Sequence, residues 1–533
     1  MRKLTAVVTA ILSIAILAPV STAVGPEIQE RGMEAKRTWI GEVLGRKPGT
    51  ISNLECTVEN TTGATNLNLD CDDPFPNNEP DIEVDPADPL HMVASSNDYG
   101  SCCDQFYTTF DGGRTWHTGN MSNEGPTRIG SDPVTVFDTK HDTVIHSSLN
   151  FTASGNLACD GDLVVSLSTD GGLVWQPPVL VADGVGCDLS KTQLFHDKEW
   201  IVTDNNPDSP FYGRTYLTWS AFIADKGSYV SSAIWEAHSD DGGHTWSAPK
   251  AISGVNPALC TFQEVAPDNG ACDENQYSVP TVAPNGTVYV AFQNEQNEAL
   301  WEAGEQFDDQ YLLVKSTNGG QTWSSPRFIV GLEDGSRDYP LNVNGRQTHT
   351  GYQARTNSAG NIVADPTTNG RLYLVFADNR AGTHDAAAPV TNTNVYLMAS
   401  SNGGTSWSGP TVVDGRASDQ WFPWVDVNPV SGAVGVMYHG RVATNPDRYH
   451  TFYVVRSGGT STRIRLSTAP SDPTDSIFFQ AGVEGCEECA TFIGDYNNIS
   501  FGTDGKANIV WTDMRDFDPT EDGHRQWIYF RRV

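Results

Sequence analysis

Thr109-Phe110-Asp111-Gly112-Gly113-Arg114-Thr115-Trp116 is the octapeptide on which the fold turns. Its form is Ser or Thr, any residue, Asp or Asn, Gly, Gly, two residues, Trp; it returns at 168–175, 239–246, 316–323 and 400–407. The terminal tryptophans, Trp116, Trp175, Trp246, Trp323 and Trp407, are 59, 71, 77 and 84 residues apart. A fixed motif at variable spacing marks a repeated unit with loops of variable length. Apolar runs precede the copies, as in Leu163-Val164-Val165 and Tyr311-Leu312-Leu313-Val314. Asp or Asn before Gly-Gly suits a tight hairpin turn, because glycine accepts positive φ without steric cost. The Asp or Asn side chain accepts backbone N–H groups inside the turn. The Trp opens the next strand and packs under the turn. Each copy therefore reads as a hairpin staple.

Working outward, a second repeat precedes the first. An apolar strand, a turn rich in Pro, Asn, Asp or Gly, and another apolar strand recur seven times, with turns at 85–86, 138–140, 206–208, 284–286, 365–366, 428–429 and 504–505. Two hairpins make a four-stranded unit, and no intervening stretch has helical periodicity. The expectation is an all-β chain folded as a single β-propeller of four-stranded blades, seven in number with six as the alternative. The sixth unit keeps only Ser457-Gly458-Gly459 of the turn motif, and the seventh stops at a third strand over Gln526-Trp527-Ile528-Tyr529-Phe530. The segment 50–69 is expected to supply the missing strand and close the ring, which removes open sheet edges.

Composition sets the surroundings. The 533 residues carry 66 Asp plus Glu against 33 Lys plus Arg, a formal charge of -33, which repels phosphates and excludes nucleic acid as a partner. Arg2 and Lys3 precede an apolar run over 4–19, and Ser21-Thr22-Ala23 offers small residues for cleavage. Residues 1–23 are expected to be a signal peptide, 24–75 an N-terminal segment partly closing the propeller, and 76–533 the propeller itself. A secreted protein without a membrane span, expected as a monomer, follows. The ten cysteines suit an oxidising compartment. Close spacing suggests Cys56–Cys71, Cys159–Cys187 and Cys260–Cys272, with a loop disulfide at Cys486-Glu487-Glu488-Cys489. No zinc set, phosphate loop or nucleophile elbow is present. No metal ligands are assigned; Ca²⁺ is compatible with the abundant carboxylates, but no run matches an EF-hand.

The Ser-x-Asp-x-Gly-x-x-Trp octapeptide resembles the Asp box, or BNR repeat, of the sialidase (neuraminidase) superfamily. The resemblance covers about residue 80 to the C-terminus. Xyloglucanases, sortilin-like receptors and other secreted propellers also carry Asp boxes, and catalytic sialidases resemble six blades rather than seven. The resemblance implies that the box turns lie on the bottom face, with the central loops of each blade and the links between blades on top. Upper strand ends carry Asn78-Glu79, Ser131-Asp132, Asp197-Lys198-Glu199, Glu274-Asn275-Gln276, Arg355, Asp419-Gln420 and Asp495-Tyr496.

On this resemblance the expected function is a sialidase-like glycoside hydrolase releasing terminal acidic sugars. Tyr496 would be the nucleophile, Glu274 its activating carboxylate and Asp132 the acid/base. Arg380, Arg441 and Arg515, which reach one structural position in three consecutive units, would bind the sugar carboxylate, with Arg355 and Asp495 as further substrate-binding residues. Arg128-Ile129-Gly130 is similar to the sialidase Arg-Ile-Pro signature, but lacks its Pro and follows the first box. Two other readings stand beside this one. One is a non-catalytic extracellular propeller that binds glycans or proteins. The other is a glycosidase or lyase on another polysaccharide, using acid pairs such as Asp132 and Glu199. A glycan is the expected partner in the enzymatic readings.

Overall fold

The computed structural model describes residues 53–533 except 72–74, 101–103, 122–127, 155–156, 262–269, 296–308, 342–346, 353, 386, 417, 477–490 and 521. The expected signal peptide and the Cys486/Cys489 pair lie outside the described residues.

The chain is a seven-bladed propeller. The innermost strands are Asn77–Val84, Ile129–Asp138, Thr192–Thr203, Asn275–Val282, Ile362–Ala364, Gln420–Val427 and Asn498–Phe501. Each contacts the next around the axis, and the seventh contacts the first. Every blade is an antiparallel sheet running outward from its inner strand. There is no α-helix among the described residues, and no helix long and apolar enough to cross a membrane.

The N-terminal segment divides its work. Leu67–Asn68 is the outer strand of blade 7, pairing Leu67 with Phe530 and Asn68 with Tyr529. Asn53–Glu59 lies along Thr115–Asn120 as a fifth strand of blade 1. The Cys56–Cys71 disulfide ties the two pieces together, and Cys159–Cys187 and Cys260–Cys272 also form.

All five octapeptides make the same turn. In the first, Gly113 N–H donates to Thr109 Oγ1 at 3.1 Å, while Arg114 and Thr115 N–H both donate to Asp111 Oδ1 at 2.9 Å. Ser400 and Asn402 repeat this toward Gly404 at 3.0 Å and Ser406 at 2.9 Å. The turns also reach sideways. A Cβ on Gly172 would lie 2.9 Å from Val93 Cγ2, and one on Gly404 would overlap Leu313, so each glycine packs against the preceding blade. The neighbouring carbonyls accept from that blade too: His91 Nε2 contacts Gly171 O at 2.9 Å, Arg214 donates to Gly319 O at 2.6 Å and Lys315 to Gly403 O at 3.0 Å.

Inner strands expose one edge toward the next blade, and side chains complete it. Asp81 accepts the Thr135 N–H at 2.8 Å, Asn361 the Val425 N–H at 2.7 Å and Asp426 the Phe501 N–H at 2.7 Å. Buried backbone donors require such partners. Here they are side chains borrowed from an adjacent blade.

Candidate active site

Five inner strands break register at the same height. The interruptions fall between Asn78 and Asp81, Ser131 and Val134, Asp197 and Trp200, Gln276 and Val279, and Trp421 and Trp424. In each, two residues face one on the partner strand, a β-bulge. The first residue of each bulge has left-handed backbone: Glu79 (φ 56°), Asp132 (58°), Lys198 (55°), Tyr277 (55°) and Phe422 (48°). Non-glycine residues adopt this conformation at a cost of about 1 kcal/mol or more, and such strain gathers at functional sites.

Lys198, Tyr277 and Phe422 line a small cleft on the axis, with Ala359 of blade 5 and Asp495 and Tyr496 of blade 7. Trp200 and Trp424, ring centroids 4.4 Å apart, also line it. Its walls are aromatic, and Lys198 and Asp495 bring charge to it.

Glu79 and Asp132 stand beside this cavity on adjacent blades, joined by one amide. Asn97 Nδ2 donates to Glu79 Oε2 at 2.7 Å, and Asn97 Oδ1 accepts the Asp132 N–H at 2.9 Å. Lys198 Nζ lies 3.6 Å from Asp132 Oδ2 and 3.9 Å from the Tyr496 ring centroid. This ammonium is buried and makes no hydrogen bond. Burial alone would lower its pKa, but Glu79, Asp132, Asp495 and Asp197 outweigh it and hold the charge. Burial pushes the Glu79 carboxyl well above its ordinary range, reinforced by Asp132. Asp197 is raised for the same reasons. Burial also raises Glu199, whose two carboxylate oxygens have no hydrogen-bond partner.

The other expected site residues are placed as follows. Tyr496 is in the cavity wall, but its hydroxyl faces Pro133 O at 3.4 Å, and burial with the Glu79 and Asp132 charges pushes its pKa up. Glu274 accepts a hydrogen bond from Tyr229, on the central hairpin of blade 3, and not from Tyr496. Arg355 pairs with Asp495 at the rim, stacks on Phe492 at 4.5 Å and keeps one buried amino group, Nη1, without a hydrogen bond.

The remaining arginines are each held by a separate carboxylate. Arg380 grips Asp378 through Nε at 2.8 Å and Nη2 at 2.5 Å, and Arg515 grips Asp513 in the same way at 2.8 and 2.5 Å. Arg441 Nη1 donates to Asp419 Oδ2 and to Thr350 O, both at 2.9 Å. Among the described residues no hydrogen bond or ion pair joins these three to one another or to Tyr496. Arg128 is held by Asp160 at 3.1 Å and Asp162 at 2.7 Å.

Sequence reading names Glu79 and Lys198 among the upper strand ends without giving them a role. Three of the five bulges carry a proline at the second position, Pro80, Pro133 and Pro423, while the other two have Glu199 and Ser278 there. The shared height becomes visible only once strands are paired.

No protein-family model matches the chain, and no curated protein matches it in sequence. Solved structures match it in fold. A sialidase of Trypanosoma rangeli, in complex with the inhibitor DANA, is 14% identical, with 72% of this chain and 55% of that chain covered and a TM-score of 0.39. An α-L-arabinofuranosidase of Fusarium graminearum is 12% identical, with 78% and 99% covered and a TM-score of 0.42. An α-L-arabinanase of Penicillium chrysogenum, complexed with arabinobiose, is 13% identical, with 76% and 98% covered and a TM-score of 0.44. This chain thus spans little more than half of the trypanosomal sialidase. What the three share with it is a β-propeller fold.

Proposed function

We propose that the protein is an exported glycoside hydrolase whose reaction is carried by the carboxyl groups of the axial mouth. The observation that carries this reading is the pair Glu79 and Asp132, set on equivalent strained bulges of adjacent blades and linked by Asn97 and Lys198. Glycoside hydrolysis needs a protonated carboxyl to assist the leaving oxygen and a carboxylate to act as base or nucleophile. Glu79, kept protonated by burial and by the neighbouring Asp132 charge, suits the first role. Asp132, in contact with the Lys198 ammonium, suits the second. Trp200, Trp424 and Tyr496 form the buried aromatic floor that supports Lys198.

Release of an acidic sugar by a tyrosine nucleophile is less well supported. It requires arginines converging near one activated tyrosine, whereas Arg380, Arg441 and Arg515 are each paired with a different carboxylate, Asp378, Asp419 and Asp513. Three disulfides fit an oxidising environment and support export.

The test is hydrolysis of a panel containing arabinan, uronic-acid polysaccharides, neutral oligosaccharides and sialosides. Glu79→Gln and Asp132→Asn should each lower turnover of the accepted substrate by about 100-fold or more. The alkaline limb of the pH–rate profile should lie above the ordinary carboxylate range, because Glu79 must keep its proton. Binding on a glycan array by folded protein that hydrolyses nothing would replace this reading with that of a binding module. Sialoside release abolished by Tyr496→Phe but unaffected by Glu79→Gln would restore the tyrosine mechanism.

A further inference from the structure

We propose that Glu333, Asp338 and His384 bind one divalent transition-metal ion on the top face, between blades 4 and 5. Glu333 and Asp338 lie on the link that follows the outer strand Arg327–Gly331 of blade 4. His384 lies on the central loop of blade 5, after Leu372–Asp378. Each offers a ligand atom, and the three atoms lie within 4.8 Å of one another. His384 Nδ1 touches an Asp338 carboxylate oxygen and lies 3.6 Å from Glu333 Oε2. Donors bound about 2.1 Å from one ion lie roughly 3.4 Å apart in a tetrahedral set, so small side-chain shifts would complete the geometry.

The ligands are oriented from behind. The other Asp338 oxygen accepts the Gly335 N–H at 3.0 Å, and Asn379 Nδ2 donates to the Asp338 carbonyl at 2.5 Å. Such outer contacts fix a ligand before the metal arrives. Asp338 is fully buried, while the side chains of Glu333 and His384 are 25% and 32% exposed, which leaves a path for an ion.

A second observation points to a cation. Asp334 is 1% exposed and its Oδ2 accepts from Gln293 at 2.7 Å. Asp309, which shares a side-chain hydrogen bond with it, Asp378 and Asp338 all act on it electrostatically. Buried acids gathered this closely need protons or positive charge. Arg380 does not supply it freely, because Asp378 holds its guanidinium on two nitrogens.

One imidazole nitrogen with two carboxylates suits Zn²⁺ or Mn²⁺. Ca²⁺ prefers an all-oxygen shell of six to eight ligands. The bound ion would tie the blade 4–5 link to the blade 5 loop, independently of the axial chemistry.

Tag-free, full-length protein stripped with EDTA should be titrated calorimetrically with ZnCl₂, MnCl₂ and CaCl₂, with Tm recorded for each. One Zn²⁺ or Mn²⁺ per chain, a raised Tm and weaker Ca²⁺ binding are expected. His384→Ala and Asp338→Asn should each weaken the transition-metal affinity about tenfold or more, and His117→Ala, on the distant first blade, should not. If Asp338→Asn fails to fold, the partly exposed His384→Ala carries the test. Folded protein that binds no ion stoichiometrically, or binding unchanged in His384→Ala, would overturn the site and leave His384 as a protonated bridge between the carboxylates.

Discussion

Lys198 places a positive charge among the acids at the centre of the ring: its Nζ lies 3.6 Å from Asp132, Glu79, Asp495 and Asp197 act on it electrostatically, and it makes no hydrogen bond of its own. Replacing it with methionine keeps the stem but leaves the acids without their counter-ion. Lys198→Met should therefore destabilise the fold by about 3 kcal/mol. Urea denaturation will measure this, and unchanged stability would mean that the acids do not depend on the lysine. At this scale the sequence is only half legible. Asp132, Tyr496, Asp495 and Arg355 are recognisable by type and by place in the repeat, and they do reach the axial region. The arginines mislead because Asp378-Asn379-Arg380 and Asp513-Met514-Arg515 each contain their own acceptor two residues back. A fork meets that nearby carboxylate at lower entropic cost than a ligand. Lys198 acquires its importance from side chains of blades 1, 2 and 7, which no local pattern displays.

The turns act in pairs with the blades they lean on, and this gives a comparison between two glycines. Gly404 (φ 73°) and Gly459 (φ 82°) have the same backbone handedness. A Cβ at Gly404 would overlap Leu313 on blade 4, whereas one at Gly459 meets nothing within 4 Å. Gly404→Ala should therefore cost about 3 kcal/mol, from strained φ plus overpacking. Gly459→Ala should cost only about 1 kcal/mol for the φ change. Equal losses in thermal denaturation would show that the turn does not dock. Hairpin chemistry is local, so the five boxes and the blade repeat are readable in the chain. The bulges are not, because a two-against-one register is a property of paired strands. Nor does the spacing show that 50–69 divides between two blades.

Across the whole molecule the acids set how stability responds to pH. Burial pushes Asp70, Asp81 and Asp426 up to about 7, well above the ordinary value of 3.8. A raised acid stabilises the native state fully below its unfolded pKa, and that stabilisation is lost as pH climbs through the folded value. Burial pulls His196 and His349 down to about 4 and His439 to about 3, so these act in the opposite sense up to the unfolded value of 6.5. Above 6.5 the unfolded histidines lose their remaining protons, an opposing contribution of about 0.4 kcal/mol each, and the acids dominate. Tm should therefore fall between pH 6.5 and pH 8, in step with a loss on the order of 2 kcal/mol. A Tm that rises over this interval would contradict the buried carboxyl assignment. The net charge of -33 acts in the same direction. Ring closure adds a constraint of timing. Leu67 pairs with Phe530, so Leu67–Asn68 waits until residue 530 has been made. Until then it has no sheet to join. The circle can therefore be shut only after Phe530 has left the ribosome.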